Sequence, residues 1–197
     1  MSRKDDIINA AVILFAENGY AATATSAIAR KAGVAEGLIF HHFKNKVGIL
    51  INIFTELSER YILEIETIMK KAETGLDALL TILRFHFEFA ESKSTTFKIL
   101  LRDFPSEFTS PESEAGKIIA EHMDTSLSQI KNCIERGRED GSIRDVPVEE
   151  TAYIIRGMLN GLSRFKIIMP GTRINPNLYP EVKKFCRRSL SQQKSIK

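Results

Sequence analysis

The sequence predicts an all-α protein, and two observations carry that prediction. Apolar residues recur along most of the chain with the three- and four-residue spacing of amphipathic helices, and glycine or proline separates the segments. No segment convincingly alternates as a strand does. Phe85, Phe87 and Phe89 alternate, but their apolar neighbours keep the helical period. With 197 residues, 43% of them hydrophobic, the chain is long enough to bury a core in one or two domains.

The predicted helices are bounded by residues that usually cap helices. Ser2 and Asp5 have the spacing of a capping box and open the first helix, which Gly19 ends. Thr25 or Ser26 is expected to cap the second helix. The remaining helices are expected at residues 25–31, 36–43, 45–71, 76–92, 95–104, 114–139, 148–169 and 176–190, with a loop at residues 106–114.

Residues 25–43, TSAIARKAGVAEGLIFHHF, have the pattern of a helix-turn-helix. Gly33 makes the corner between two short helices, and Ala29 is small enough to let those helices approach each other. In this motif the second helix enters the major groove of DNA while the first crosses the phosphate backbone. Two core helices joined by a glycine turn would explain the corner alone about equally well.

A longer pattern favours the helix-turn-helix. A helix ending at Gly19-Tyr20, a Thr-led short helix, then AGVAEGLIFHHFKNK with a long helix beginning inside it resemble the N-terminal domain of the TetR/AcrR family of transcriptional regulators. The resemblance covers about residues 5–51. It implies a DNA-binding domain at residues 1–46 and a helical effector-binding and dimerisation domain at residues 47–197. It also implies that the protein binds a pseudo-palindromic operator as a homodimer and acts there as a repressor.

The resemblance assigns DNA contacts residue by residue. Thr25 and Lys46 match positions that usually hold phosphates, and the exposed side of the third helix would meet base edges. The predicted DNA-binding residues are Arg3, Lys4, Thr25, Glu36, Gly37, Leu38, His41, His42, Lys44 and Lys46.

Two positions depart from the family pattern. Ala35 stands where a serine commonly caps the third helix, which costs about 1 kcal/mol of capping and one phosphate contact. Phe40 stands where tyrosine is common, so a second hydroxyl is missing. Phosphate binding is therefore expected to depend more on backbone amides, on Lys44 and Lys46 and on the basic start of the chain.

Phenylalanine is concentrated in the predicted helices 76–92 and 95–104. Core packing explains each phenylalanine by itself, and a cavity for a small, largely hydrophobic, fatty-acid-like effector would explain them together. His86 and Arg102 are candidate polar groups in that site, with a core histidine and a surface salt bridge as the alternatives. The predicted effector-binding residues are Phe85, His86, Phe89, Phe97, Leu101, Arg102 and Phe104.

The segment VEETAYIIRGMLNGLSRFKII places apolar side chains along one face and Gly157 and Gly161 on the next. Such a face, together with the last helix, suits a two-fold helix-bundle interface, and the resemblance implies the same dimer. Packing within one subunit would account for about half of these residues. The predicted dimerisation residues are Ile155, Leu159, Leu162 and Phe165.

Other classes of function have little support in the sequence. We find no Gly-rich phosphate loop, nucleophile elbow or paired-carboxylate motif, so no enzyme is expected. His41 and His42 are adjacent on a helix and cannot share a metal ion as an i, i+4 pair can, so neither a metal nor another cofactor is expected. A helical interaction or scaffold protein without sequence-specific DNA binding remains the alternative.

The cellular location is expected to be the cytoplasm. The first residues, MSRKDD, turn acidic before any apolar segment begins, unlike a secretory signal. Charge interrupts every apolar stretch before it reaches the length of a membrane span. Cys133 and Cys186 are expected to be reduced, as ordinary core or surface residues.

Overall fold

The structure is a computed structural model that describes residues 2–102, 106–168 and 178–192. Over these ranges the chain forms helices and no strand, which confirms the all-α prediction. No helix in the described ranges is long and apolar enough to cross a membrane. The helices are α1 (Arg3–Asn18), α2 (Thr25–Ala32), α3 (Glu36–Phe43), α4 (Lys46–Lys71), α5 (Gly75–Ser92), α6 (Ser94–Arg102), α7 (Ser106–Thr109), α8 (Glu114–Glu139), α9 (Val148–Ile168) and α10 (Tyr179–Leu190).

The predicted caps were right for α1 and wrong for α2. Asp5 N donates to Ser2 Oγ at 3.2 Å and Ser2 N donates to Asp5 Oδ2 at 2.8 Å, which is the predicted capping box. In α2 the N-cap is Ala24, and no side chain caps the helix. The reason is that Thr25 already lies inside the helix, where its hydroxyl donates to Glu36.

The predicted loop at residues 106–114 was wrong in part, because it contains the single-turn helix α7. Ser110 N and Thr109 Oγ1 both donate to Ser106 O, at 3.1 and 3.0 Å, and close that turn. The predicted ends of the helices at 95–104 and 148–169, and the predicted start of the last helix at 176, lie outside the described residues.

The chain divides into two compact units. Unit 1 comprises residues 1–59 and 93–122, and unit 2 comprises residues 60–92 and 123–197. This division differs from the predicted boundary between residues 46 and 47. The physical reason is that α4 and α8 are continuous 26-residue helices, and each contributes residues to both units.

Unit 1 packs α1, α2, α3 and the first turns of α4 around one core. Phe15 of α1, Ile28 of α2, Ile39 of α3 and Ile49 of α4 are all essentially inaccessible to solvent. Because each short helix buries one face in this core, its opposite face stays directed outward.

Unit 2 is built around α5, which is buried on several sides as the sequence predicted. Leu79, Ile82 and Leu83 are fully buried and share a core with residues of α4, α8, α9 and α10. Cys133 and Cys186 are free, buried thiols in the same core. Burial raises the pKa of Cys133 to about 12 and that of Cys186 to about 11, so both thiols are protonated at neutral pH.

Candidate functional site

The corner between α2 and α3 is made by Gly33, which has φ +66° and ψ +36°. That left-handed conformation favours glycine. Gly33 N donates to Arg30 O at 3.3 Å and Val34 N donates to Ala29 O at 3.0 Å, which satisfies carbonyls at the end of α2. Ala29 is buried at the corner, as its small size predicted. The corner therefore sets the direction of α3.

The outer face of α3 is exposed and carries little charge. Ile39 and Phe43 are buried in unit 1, whereas Gly37 and His41 are exposed and Phe40 is 50% exposed. Phe40 therefore belongs to this face, although the sequence analysis noted it only for its missing hydroxyl.

Leu38 and His42, also predicted to bind DNA from α3, differ in exposure. Leu38 is partly buried and packs against the unit 1 core, so it is less accessible than predicted. His42 is exposed, and its ring centroid lies 5.2 Å from that of His41. The residues of α3 that can meet another molecule are thus mainly Gly37, Phe40, His41 and His42.

Thr25 and Glu36 bond each other instead of making the separate contacts predicted for them. Thr25 Oγ1 donates to Glu36 Oε1 at 2.6 Å. A hydroxyl has one proton, so Thr25 cannot donate to a phosphate while it bonds Glu36. The pair joins the first residue of α2 to the first residue of α3.

Lys46 is also engaged within the protein, and its phosphate contact stays a prediction. Its Nζ donates to Tyr20 O at 2.9 Å, Ala21 O at 3.2 Å and Thr23 O at 3.1 Å. It also lies 4.4 Å from the centroid of the Tyr20 ring. An ammonium group has three protons, so none remains for a phosphate. These hydrogen bonds of Lys46 connect the loop between α1 and α2 to the first turn of α4.

Among the other basic residues predicted to contact DNA, Arg3 and Lys44 are more accessible than Lys4. Arg3 is exposed and lies 4.0 Å from an oxygen of Asp6. Lys44 is exposed in the turn between α3 and α4, where it is the one non-glycine residue in the described ranges with positive φ, +63°. Lys4 is partly buried, with its Nζ 6.0 Å from the centroid of the Phe43 ring.

In unit 2 a chain of buried polar groups connects three helices. Tyr61 Oη of α4 lies 2.9 Å from Nδ1 of His86 on α5, and His86 Nε2 lies 3.0 Å from Ser163 Oγ on α9. His86 is only 6% exposed. Both of its ring nitrogens have partners, so its geometry matches the alternative of a satisfied core histidine.

The predicted effector-binding residues are only partly brought together. Phe85 and Phe89 flank the Tyr61 ring, with centroids at 5.3 and 5.4 Å. Phe97 lies in unit 1, whereas Phe85, His86 and Phe89 lie in unit 2. Phe104 lies outside the described residues, as do the side chains of Leu101 and Arg102.

Sequence reasoning missed the polar partners of His86. Tyr61, Ser163 and Arg156 had no predicted role. One signal was available, because a polar residue on an otherwise apolar helix face needs a buried partner.

Burial lowers the pKa of His86 to about 4, and the Arg156 cation acts in the same direction. Burial also raises the pKa of Tyr61. Both side chains are therefore neutral at pH 7. In the neutral pair one nitrogen of the imidazole accepts a hydrogen bond and the other donates.

The predicted dimerisation residues separate into two pairs. Ile155 and Leu159 are buried in the core of unit 2, so they pack within one subunit, as the sequence analysis allowed for about half of the set. This burial corrects their predicted role in the dimer interface. Leu162 is partly buried against the same core, and Phe165 is 46% exposed.

Residues 7–53 match the sequence model of "Bacterial regulatory proteins, tetR family". HTH-type transcriptional regulator YhgD of Bacillus subtilis is 31% identical over 160 residues, which are 79% of this chain and 79% of that protein. The fatty acid metabolism regulator protein of Bacillus subtilis is 43% identical over 81 residues, or 41% of this chain. That match spans only 42% of the relative.

Among solved structures, the transcriptional regulator FadR from Bacillus subtilis in complex with stearoyl-CoA has a TM-score of 0.81 against this chain at 26% identity. The match covers 94% of this chain and 98% of that one. The fatty acid degradation regulator FadR from Bacillus halodurans has a TM-score of 0.79 at 24% identity, covering 93% and 97%, and shows the same fold.

We predict that Lys46→Ala lowers the free energy of unfolding by about 2 kcal/mol, because the substitution removes the donor to three loop carbonyls. Lys44→Ala removes an exposed side chain and is the matched control, with an expected change within about 0.5 kcal/mol. Urea unfolding of both variants provides the measurement. Equal unfolding midpoints would contradict the structural role of Lys46.

We also predict that acid destabilises the protein through His86. Its pKa of about 4 in the folded state lies below the unfolded value of 6.5, so the unfolded state binds the proton first. The stability contributed by neutral His86 is complete above pH 6.5 and is lost as the pH falls toward 4. At about pH 5 the loss is roughly 2 kcal/mol.

Thermal unfolding between about pH 7.5 and pH 5 tests this linkage. The variant His86→Gln should lose less stability over the range than the wild type, and His42→Gln, at an exposed position, should behave like the wild type. The same pH dependence in the wild type and His86→Gln would exclude His86 as the group responsible.

Proposed function

Because this chain belongs to the TetR family of bacterial transcriptional regulators, we propose that it binds a pseudo-palindromic operator as a homodimer, represses transcription there and is released by a long-chain acyl effector. The observation that carries this proposal is the exposed outer face of α3 directly after the Gly33 corner. With its inner face buried, α3 has the form of a recognition helix that presents side chains to the major groove.

Backbone amides supply part of the proposed phosphate contacts. The N-caps of α2 and α3 are Ala24 and Ala35, and neither helix has a side-chain cap. The first N–H groups of a helix have no partner within the helix, and the helix dipole favours an anion at that end. Exposed Lys44 and Arg3 add positive charge to this contribution.

Base contacts are proposed for the exposed side chains of α3. His41 can donate or accept a hydrogen bond at a base edge, and Gly37, which has no side chain, lets the α3 backbone approach the bases closely. No arginine or lysine lies within α3. Sequence discrimination is therefore expected to rest on these neutral contacts, with most of the affinity coming from phosphates.

The proposed effector class has support from unit 2 and from the relatives. The rings of Tyr61, Phe85 and Phe89 form an aromatic surface beside the buried polar groups of unit 2. One similar structure was solved with stearoyl-CoA, and one relative is a fatty acid metabolism regulator. α4 runs without interruption from unit 1 into unit 2. An effector can shift the protein between two states only by binding one of them more tightly.

The proposed dimer interface uses the outward faces of α9 and α10. Tyr153, Ile154 and Phe165 of α9 and Phe185 of α10 are large hydrophobic residues left exposed by the subunit. A Cβ atom added at Gly157 would meet no neighbour, so the α9 surface is also open there. Exposed apolar surface of this kind is typical of interaction sites.

We predict that Ile154→Glu, which places a charge at a 66% exposed apolar position, converts the dimer into a monomer of 22.2 kDa. Leu63→Glu is the matched control, because Leu63 is an exposed leucine on α4, and it should leave the dimer intact. Size-exclusion chromatography with light scattering measures the mass. A dimeric Ile154→Glu protein would place the interface elsewhere.

The test of the proposed function is binding to the DNA upstream of the protein's own gene, measured by fluorescence anisotropy over a range of salt concentrations. We expect affinity to fall steeply with salt, and Lys44→Ala to reduce the salt slope by about 1. Phe40→Tyr should raise affinity by roughly threefold to tenfold on all sequences, because it adds a phosphate hydrogen bond.

Binding to unrelated DNA is the control, since the phosphate contribution is shared by all sequences whereas base contacts are not. Absent or salt-independent binding would contradict the DNA-binding function and would favour a helical interaction protein.

A further inference from the structure

We propose that Arg156 and Gln129 of unit 2 hold the polar end of an acyl thioester, with Arg156 donating to the thioester oxygen and Gln129 accepting from the amide N–H beyond it. This inference rests on the proposed function and specifies the ligand of that site. It follows from two side chains whose hydrogen-bonding capacity is not fully used by the residues that the structure describes.

Arg156 is a partly buried cation on α9 that has no carboxylate within salt-bridge distance among the described residues. Its Nη1 donates to Met123 O at 3.1 Å and to Ser126 Oγ. Nε and Nη2 donate to none of the residues that the structure describes. Desolvation lowers the pKa of Arg156, so burial of this charge is unfavourable until an acceptor approaches it.

Arg136 on α8 shows the contrasting arrangement of a structural arginine. Its Nη1 donates to Met69 O at 2.9 Å, and its Nη2 donates to Ala72 O at 2.6 Å and Glu73 O at 2.9 Å. These carbonyls lie at the end of α4, where helices leave acceptors without partners. The backbone acceptor of Arg156, Met123 O, lies in the middle of α8. Arg156 therefore does not bond the free carbonyls of a helix end, as Arg136 does.

Gln129 is the complementary group, a buried acceptor without a donor. It lies one helical turn after Ser126 on α8 and is 6% exposed. Its Nε2 donates to Ile62 O at 3.1 Å, whereas Oε1 has no hydrogen-bond partner among the described residues. Because Ile62 O can only accept, reversing the amide would bring two acceptors together. The unpaired atom is therefore an acceptor, and buried acceptors are rarely left unpaired.

Tyr61 indicates how a long-chain ligand would lie. It precedes Ile62 in α4, its hydroxyl bonds His86, and its ring packs against Phe85 and Phe89. The Arg156 cation acts electrostatically on both Tyr61 and His86, so it lies near the polar end of this arrangement. A cluster of aromatic rings therefore adjoins polar groups that the described residues leave unpaired, as an acyl chain adjoins its carbonyl.

The chemistry of the two groups distinguishes between acyl compounds. A free carboxylate provides acceptors and negative charge for Arg156, but it has no proton for Gln129. An acyl-pantetheine thioester provides a carbonyl oxygen for Arg156 and, a few bonds further, an amide N–H for Gln129. The unpaired acceptor of Gln129 therefore favours the thioester.

The experiment measures the affinity of the 197-residue protein for palmitoyl-CoA and for palmitate by calorimetry. Arg156→Gln should weaken both ligands about tenfold to a hundredfold, because each loses a hydrogen bond to a cation. Gln129→Leu should weaken palmitoyl-CoA about tenfold and change palmitate by less than about twofold. The matched control is Arg144→Gln, an exposed arginine of unit 2 that donates to Ser189 O at 2.6 Å, and it should bind like the wild type.

Unchanged palmitoyl-CoA affinity in Arg156→Gln would overturn the site, and so would failure of the wild type to bind either ligand. An equal effect of Gln129→Leu on both ligands would overturn the assignment of Gln129 to an amide N–H. If Arg156→Gln does not fold, Arg156→Lys keeps the charge without the planar fork and should still weaken palmitoyl-CoA several-fold.

Operator binding by the ligand-free protein is a separate readout. Its absence would contradict the proposed DNA-binding function, while the calorimetry would still decide the acyl site. If the wild type binds the operator but neither acyl ligand, the DNA-binding function is supported and the acyl site is contradicted.

Discussion

Complete burial of Ile28 and Ile39 on the two sides of the Gly33 corner is the constraint on which the proposed DNA-binding face of α3 depends. Each buried isoleucine contributes about 2 kcal/mol relative to an exposed one, so neither short helix can turn about its axis without losing core contact. The orientation of α3 is therefore set from inside unit 1. Its outer face can then vary in sequence without disturbing the fold, and here that face is largely uncharged.

Local patterns in the sequence were enough to predict the helices and the corner. The capping box at Ser2 and the left-handed Gly33 depend on neighbours a few residues away, and α5 shows its burial by apolar residues on several of its own faces, so spacing reveals all three. The bond partners of the site residues were not predictable in this way. Lys46 bonds Tyr20, which lies 26 residues earlier, and nothing in the spacing indicates that its protons are already used.

Spacing in the sequence also could not reveal the contact partners of residues in α9 and in the rest of unit 2. Periodicity identified an apolar face containing Ile155 and Leu159, but it could not tell whether the subunit's own core or a second copy covers that face. Buried polar residues pose a related problem. His86 and Gln129 are equally buried, yet within the described part of the chain the first has partners on both ring nitrogens and the second has an oxygen without one. Only three-dimensional placement separates a satisfied group from an unsatisfied one.

The hydrogen bond between Thr25 and Glu36 has a consequence for redesigning operator preference. A recognition helix is commonly thought of as an exchangeable part, but α3 starts with a carboxylate whose partner belongs to α2. Transplanting α3 alone would separate that carboxylate from its donor and leave an unpaired negative charge at the start of the transplanted helix. The smallest portable unit is therefore the pair α2–α3 with its corner, and new specificities are better built by exchanging that pair as a single cassette.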